Sequence, residues 1–189
     1  SKMCGRYNFD DKNEDMFAIT KALKGMEYKT GEIFPTNPAP VLAASGGSVA
    51  AGVMIWGFPN FRSKSGVLIN ARAETAQEKK TFQKAVMTRR CVIPSTGFFE
   101  WKQDETKQKY LFTMPQSGAL YMAGLYGEYE GVKKYVILTT TPNASVADIH
   151  NRMPLVLEKS QINDWIFDND HALSLLHGTP PMLERAMAE

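Results

Sequence analysis

Two cysteines and three histidines are all that the 189 residues hold of the side chains most often used to bind metals or build disulfides. Cys4 and Cys91 cannot form a disulfide framework, so a reducing compartment is expected. The His/Cys/Asp spacing of a zinc site is missing, and neither a metal nor another cofactor is expected. No apolar run is long enough to span a membrane, and no signal-peptide core is present. A soluble, cytoplasmic protein without a membrane partner follows from this reading. The glycine loop that cradles phosphates and the nucleophile elbow of serine hydrolases are also lacking. The two signs of charge nearly balance: the net charge is +2, so bulk charge alone does not announce a polyanion. There are no internal repeats and no low-complexity segments.

What the chain does have is apolar mass, 43% hydrophobic and 11% aromatic. That suffices for one core, and a single domain over 1–189 is expected, with Ser1 and Lys2 read as a tag remnant. Asn13 should cap a helix burying Met16, Phe17, Ile19 and Leu23 and stopping at Gly25. The three prolines of 31–40 predict an extended loop. Val41–Ser45 and Ser48–Trp56 should pair across Gly46-Gly47, followed by a polar-aromatic loop over 58–65 and a strand over 66–70. A helix is predicted over 79–89. Strands are predicted over 91–94, 98–102, 110–114, 120–126 and 135–140. Ser160 and Asp170 should cap two closing helices. The fold class is α+β, with mostly antiparallel, curved, barrel-like β-sheets and flanking helices.

Four polar clusters interrupt this pattern. In the first, Cys4-Gly5-Arg6 directly follows Met3. A cysteine freed by removal of that methionine carries an α-amine and a thiol on adjacent carbons, a 1,2-aminothiol that condenses with aldehydes to a thiazolidine. The amine titrates near about 8 and the thiol near about 8.5, so both are partly nucleophilic at neutral pH. The competing reading is a small packed thiol beside an arginine that meets a surface acid. In the second cluster, Leu68–Thr75, Asn70 supplies an amide and Arg72 a planar fork suited to phosphate. Its plainer reading is a turn Asn and a surface Arg–Glu pair.

The third cluster, Cys91–Trp101, sets Glu100 between Phe99 and Trp101 on a strand, with both aromatics on the opposite face. Glu100 is either an edge residue in water or a desolvated acid with a raised pKa, suited to proton transfer. Cys91 reads as an inert core thiol. In the fourth cluster, Asp148–Pro154, His150 can shuttle protons or meet phosphate beside Arg152. His171 and His177 read as surface or capping residues.

In order and spacing, several stretches together resemble the SRAP family, the SOS-response-associated peptidase proteins that shield abasic sites in DNA. They are Met3–Tyr7, Pro35–Pro40, Trp56-Gly57, Leu68–Thr75, Gly97–Trp101, Tyr121–Leu125 and Asp148–Leu157. The resemblance implies a groove for single-stranded DNA and a covalent link from Cys4 to the ring-opened sugar of an abasic site. It implies that Asn70 orients the amine and the sugar, and that Glu100 and His150 move protons. Arg6, Arg72 and Arg152 would hold phosphates, with Asn37, Pro38 and Trp101 lining the groove. The family's peptidase label implies self-processing at the cysteine, alongside a lyase-like activity. A monomer, nucleoid-associated when bound to DNA, is expected. Residues 1–3 must be trimmed before a thiazolidine can form. Phe58, Phe61 and Arg62 stand where relatives often carry tryptophan or proline. Since many relatives continue past the last helix while this chain ends at Glu189, a strand is expected to be missing from one side of the groove. Two other readings are a general thiol peptidase using Cys4 and His150, and a non-catalytic single-strand-binding module.

Overall fold

The structure is a computed structural model describing residues 4–63 and 65–189; the tag-remnant reading of Ser1 and Lys2 lies outside them. After β1 (Tyr7–Phe9), Asn13 caps as expected, its Oδ1 accepting from the Asp15 N–H at 2.9 Å. A 3-10 turn (Glu14–Met16) leads into α1 (Phe17–Ala22). Met16, Ile19 and Leu23 are buried, whereas Phe17 is 52% exposed. It lies one position off that stripe, and i,i+1 neighbours do not share a face.

The expected loop over 31–40 instead holds β2 (Gly31–Ile33) and the start of β3 (Pro38–Ser45), which pairs with β4 (Ser48–Trp56). Pro38, Pro40 and Leu42 share one edge of β3. On that edge the Pro38 carbonyl accepts from Lys29 and only Leu42 meets a further strand, so the missing N–H groups cost no ladder bond. Ser45 faces Ser48 across the two-residue Gly46-Gly47 turn. The stretch expected as one strand is two: β6 (Val67–Leu68), paired with β5 (Phe58–Pro59), and β7 (Asn70–Arg72).

Helix α2 (Gln83–Thr88) is shorter than expected, with turns over 79–82. Strands β8 (Arg90–Ser95), β9 (Gly97–Trp101), β10 (Lys109–Thr113), β11 (Leu120–Tyr129) and β12 (Val132–Thr140) follow the pattern read from the sequence. The short β13 (Met153–Pro154) and β14 (Val156–Leu157) precede α3 (Ile162–Phe167) and α4 (Asn169–Leu176). The closing helical region opens at Glu158, whose N–H meets the Gln161 side chain, and α4 is capped by Asp168. Ser160 and Asp170 therefore do not cap. The segment after α4 supplies a strand after all, β15 (Glu184–Ala188).

Besides the small β5–β6 pair, these elements make two main sheets among the described residues. Strands β4, β3, β8, β11 and β12 pair in sequence, and β12 returns to β4, closing a five-stranded barrel. The β12 pairings to β4 and β7 are parallel; the others are antiparallel. Closure demands Gly124, where a Cβ would lie 2.7 Å from the Val136 carbonyl. The second sheet runs β15-β10-β9-β1-β2 and is antiparallel throughout. Only Thr96 separates barrel strand β8 from open-sheet strand β9, and Gly97 takes the turn at φ +154. A Cβ there would sit 2.6 Å from the Phe112 carbonyl. The sheets are pinned together where the Tyr7 and Tyr135 hydroxyls meet at 2.6 Å, both fully buried and both against Trp56.

Candidate active site

Glu100 is the centre of the site. It projects from β9 into the protein with 1% exposure, while Phe99 and Trp101 carry the opposite face beneath Lys109. Strand alternation does this, and of the two sequence readings the desolvated acid is the one the fold adopts. Its Oε2 accepts from the Cys4 main-chain N–H at 3.0 Å, and its Oε1 faces His150 Nε2 at 3.7 Å. Cys4 and His150 are themselves buried, so an amine nitrogen position, an acid and an imidazole share one dry pocket. A cleft of about 670 Å³ opens onto Glu100 and His150, walled by Trp101 and the hairpin residues Lys102 to Glu105 and Lys107.

The local backbone is specialised around these groups. Cys4 has φ +43, the left-handed region that costs a non-glycine residue roughly 1 kcal/mol or more. His150 ends a coil of turns over 143–150 seeded by Asn143, whose Oδ1 accepts from the Ser145 N–H. The Arg152 main-chain N–H donates to His150 Nδ1 at 3.3 Å. Since that amide can only donate, Nδ1 holds a lone pair and the neutral ring carries its proton on Nε2, toward Glu100.

Burial decides the protonation of all three. It raises Glu100 from the ordinary 4.5 to about 7, against hydrogen bonds from Cys4 that favour the carboxylate. Glu100 is therefore part acid and part base at neutral pH. Burial, followed by the Glu100 charge, drives the Cys4 thiol well above its ordinary value. The unperturbed thiol read from the sequence is corrected by that: the sulfur is neutral until a neighbour takes its proton. Burial also pulls His150 below 6.5, keeping the imidazole neutral.

The other expected residues distribute unevenly. Arg152 is buried, and its two terminal nitrogens are held by Glu74 (2.5 and 3.1 Å) and by the Thr139 carbonyl and hydroxyl (3.0 and 3.1 Å). It is thus an internal brace in this structure, not an open phosphate seat. Asn70 lies on β7 opposite Ile137, two positions from Thr139, and donates to the Ile137 carbonyl at 3.4 Å. No hydrogen bond joins it to Cys4 or Glu100 among the described residues. Arg72 is exposed and makes no ion pair among the described residues. With Arg62 and Lys79 it lines a second cavity of about 370 Å³ beside Asn70 and the 80%-exposed Phe61, and no acid among the described residues lines that cavity.

Arg6 pairs with Glu32 at 3.1 Å and lies over Phe34 and Trp101. Glu32 also holds Lys109 at 2.7 Å. Asn37 spends its side-chain oxygen on the Phe34 N–H, shaping the turn into Pro38. Outside the site, Asp164, Asp168 and His171 lie close enough together to hold a cation, on an exposed surface.

Glu74, Thr139, Glu32 and the Tyr7–Tyr135 pair were not legible as site residues. Glu74 was read with its neighbour Arg72, but it reaches Arg152 across 78 positions of sequence. Only the Leu68–Thr75 motif hinted at Glu74; for the others no local signal exists.

The chain matches a known family. The family model described as SOS response associated peptidase (SRAP) covers residues 3–187, and the chain belongs to that family. Among its relatives, the abasic site processing protein YoqW of Bacillus subtilis is 34% identical over 194 residues, 92% of this chain and 86% of that one. The abasic site processing protein YedK of Escherichia coli is 27% identical, over 87% of this chain and 79% of its own. A crystal structure of a Bordetella bronchiseptica protein superposes with a TM-score of 0.82 at 23% identity, covering 98% of this chain and 100% of the other. One from Bacteroides thetaiotaomicron gives 0.80 at 21%, covering 98% and 92%. Those two likenesses concern the fold.

Proposed function

We infer that the chain processes abasic sites, as its relatives' names say of them, and that it does so in single-stranded DNA by forming a covalent link through Cys4. The observation that carries this reading is the buried Glu100 carboxyl touching the Cys4 nitrogen on one side and facing His150 on the other. Hydrolysis of the Met3–Cys4 peptide bond, the family's self-processing step, would free the amine at that nitrogen.

The amine adds to the C1 aldehyde of the ring-opened deoxyribose, and loss of one water gives an imine. The thiol then adds to the imine carbon, its proton passes to the nitrogen, and a thiazolidine closes. Each step moves one proton at a time, and an acid with a pKa near 7 both gives and takes it. His150, with Nε2–H toward Glu100, relays protons to the sugar. Strand capture is assigned to the acid-free wall of Arg62, Arg72 and Lys79, with Phe61 offering a stacking face.

A thiol peptidase built on Cys4 and His150 alone fits less well, because Glu100 stands between them and no hydrogen bond joins the two among the described residues. The test is to mix protein trimmed to Cys4 with a single strand carrying one abasic site. An adduct that survives denaturing electrophoresis is expected, and Cys4→Ala should abolish it. No adduct, or an equal one from Cys4→Ala, refutes the reading. Peptide turnover without DNA favours the peptidase, and equal reversible binding of intact and abasic strands favours a non-catalytic module.

A further inference from the structure

We propose that Asp148 and Arg185 are positioning residues, a clamp by which the last strand holds the His150 loop against the sheet that carries Glu100. Resting on the function proposed above, this gives a role to Asp148, which the chemistry leaves unused, and to a strand that was not expected. Glu100 and His150 belong to different parts of the fold. The acid sits on β9 of the open sheet, whereas His150 sits on a loop between β12 and β13 of the barrel. Their 3.7 Å separation is too long for a strong hydrogen bond and must shorten for a proton to pass. The distance therefore depends on what ties loop 141–152 to the open sheet.

The ties are few, and most come from residues 180–185. Asn143, which seeds the loop, donates its amide to the carbonyls of Pro180 (3.0 Å) and Pro181 (2.9 Å). The Leu183 N–H donates to Ser145 Oγ at 3.0 Å. Arg185 then grips Asp148 with both nitrogens, at 2.6 and 2.7 Å, and lies over Tyr110. Tyr110 is the β10 residue opposite Glu100 itself. Five register pairs fix β15 to β10, which is paired to β9. The route from Arg185 to Glu100 is thus two strand ladders, and from Asp148 to His150 two residues. Among the described residues, a bond from Arg185 to the Ser145 carbonyl, 3.4 Å, and a backbone bond from the Gln103 N–H to the Ile149 carbonyl, 3.2 Å, add to these ties. A bidentate fork fixes orientation as well as distance, which a lysine at 185 would not.

The test uses the full chain and two readouts. Nitrogen-15 NMR of His150 should report a single neutral Nε2–H tautomer in the wild type. Arg185→Ala and Asp148→Ala should each give exchange-averaged ring nitrogens, with Arg185→Lys in between. The exchanged pair Asp148→Arg/Arg185→Asp should restore the tautomer. On the trimmed protein, the single variants should form the abasic-site adduct between about 10- and 100-fold more slowly, the range for misplacing a catalytic group by up to 1 Å. Their affinity for an intact strand should be unchanged.

A wild-type tautomer and rate in Arg185→Ala would overturn the proposal. So would a rate loss matched by an equal loss of affinity for intact DNA, which would make Arg185 a phosphate contact. A loss that tracks thermal unfolding and is not rescued by the exchange would make the pair merely structural. If the wild type forms no adduct, the proposed function fails, while the tautomer measurement still decides the clamp.

Discussion

Replacing Glu100 by glutamine should make the protein more stable at alkaline pH, and should flatten its pH dependence. In the folded chain the carboxyl titrates at about 7 because burial penalises its charge, against 4.5 ordinarily. Between those values the folded state holds a proton that the unfolded state has released. Stability therefore falls as pH rises through that window and levels off above about 7. Two and a half pKa units at about 1.4 kcal/mol each give about 3 kcal/mol in total, the larger part lost between pH 5 and 8. His150 works the other way. Its depressed pKa means the unfolded state takes up the proton first as pH falls, so its contribution to stability is lost toward acid pH. Subtracting the Glu100→Gln curve from the wild-type curve isolates the carboxyl. Urea denaturation at half-unit pH steps supplies both curves. A difference that stays constant from pH 5 to 8 would refute the burial argument, and with it the dual acid–base role.

Three further outcomes follow from the same geometry. Glu74→Ala strips the fork of Arg152 and should cost about 1–3 kcal/mol, read as a lower urea midpoint at unchanged m-value. Tyr7→Phe leaves the buried Tyr135 hydroxyl without its partner and should cost about 1–3 kcal/mol, whereas the double change Tyr7→Phe/Tyr135→Phe should recover much of that. Arg72→Ala should weaken single-strand binding at every sequence and lower the slope of log affinity against log salt by roughly one, measured by fluorescence anisotropy.

The sequence pattern carried most of the fold, because strand alternation and Gly-rich turns are local. The β3–β4 hairpin, the β8-to-β12 run and the Asn13 cap could each be read from a few adjacent residues. What failed was decided by distant partners. Pro38 and Pro40 sit in a strand because their edge of β3 meets no neighbour until Leu42, a fact invisible in 31–40. The strand after α4 forms because β10 offers an open edge, and ERAMA has no alternation to announce it. In the site, Glu100 and His150 were legible as unusual polar residues in apolar surroundings. Arg152 was legible as a cation, but its engagement by Glu74 and Thr139 was not. A phosphate-binding arginine and an internal brace look identical until the chain between them is folded.

The division of the site between two sheets has a mechanical consequence. Glu100 belongs to the open sheet and Cys4 lies in the turn that leads into it, while His150, Arg152 and Asn70 belong to the barrel side. Chemistry at the Cys4 nitrogen therefore needs the two bodies in fixed register. The chain itself crosses between the two at β2 to β3, β8 to β9, β10 to β11 and β14 to β15, most tightly at the single Thr96 between β8 and β9. Among the contacts between them are the Tyr7–Tyr135 hydroxyls on the inner side and the Asp148–Arg185 fork on the outer. The inner contact is dry and short, so losing it should lower stability first. The outer one is half in water, where an ion pair adds little to stability. Its loss should therefore appear in the placement of His150 before it appears in the melting temperature, and that ordering separates the two contacts experimentally.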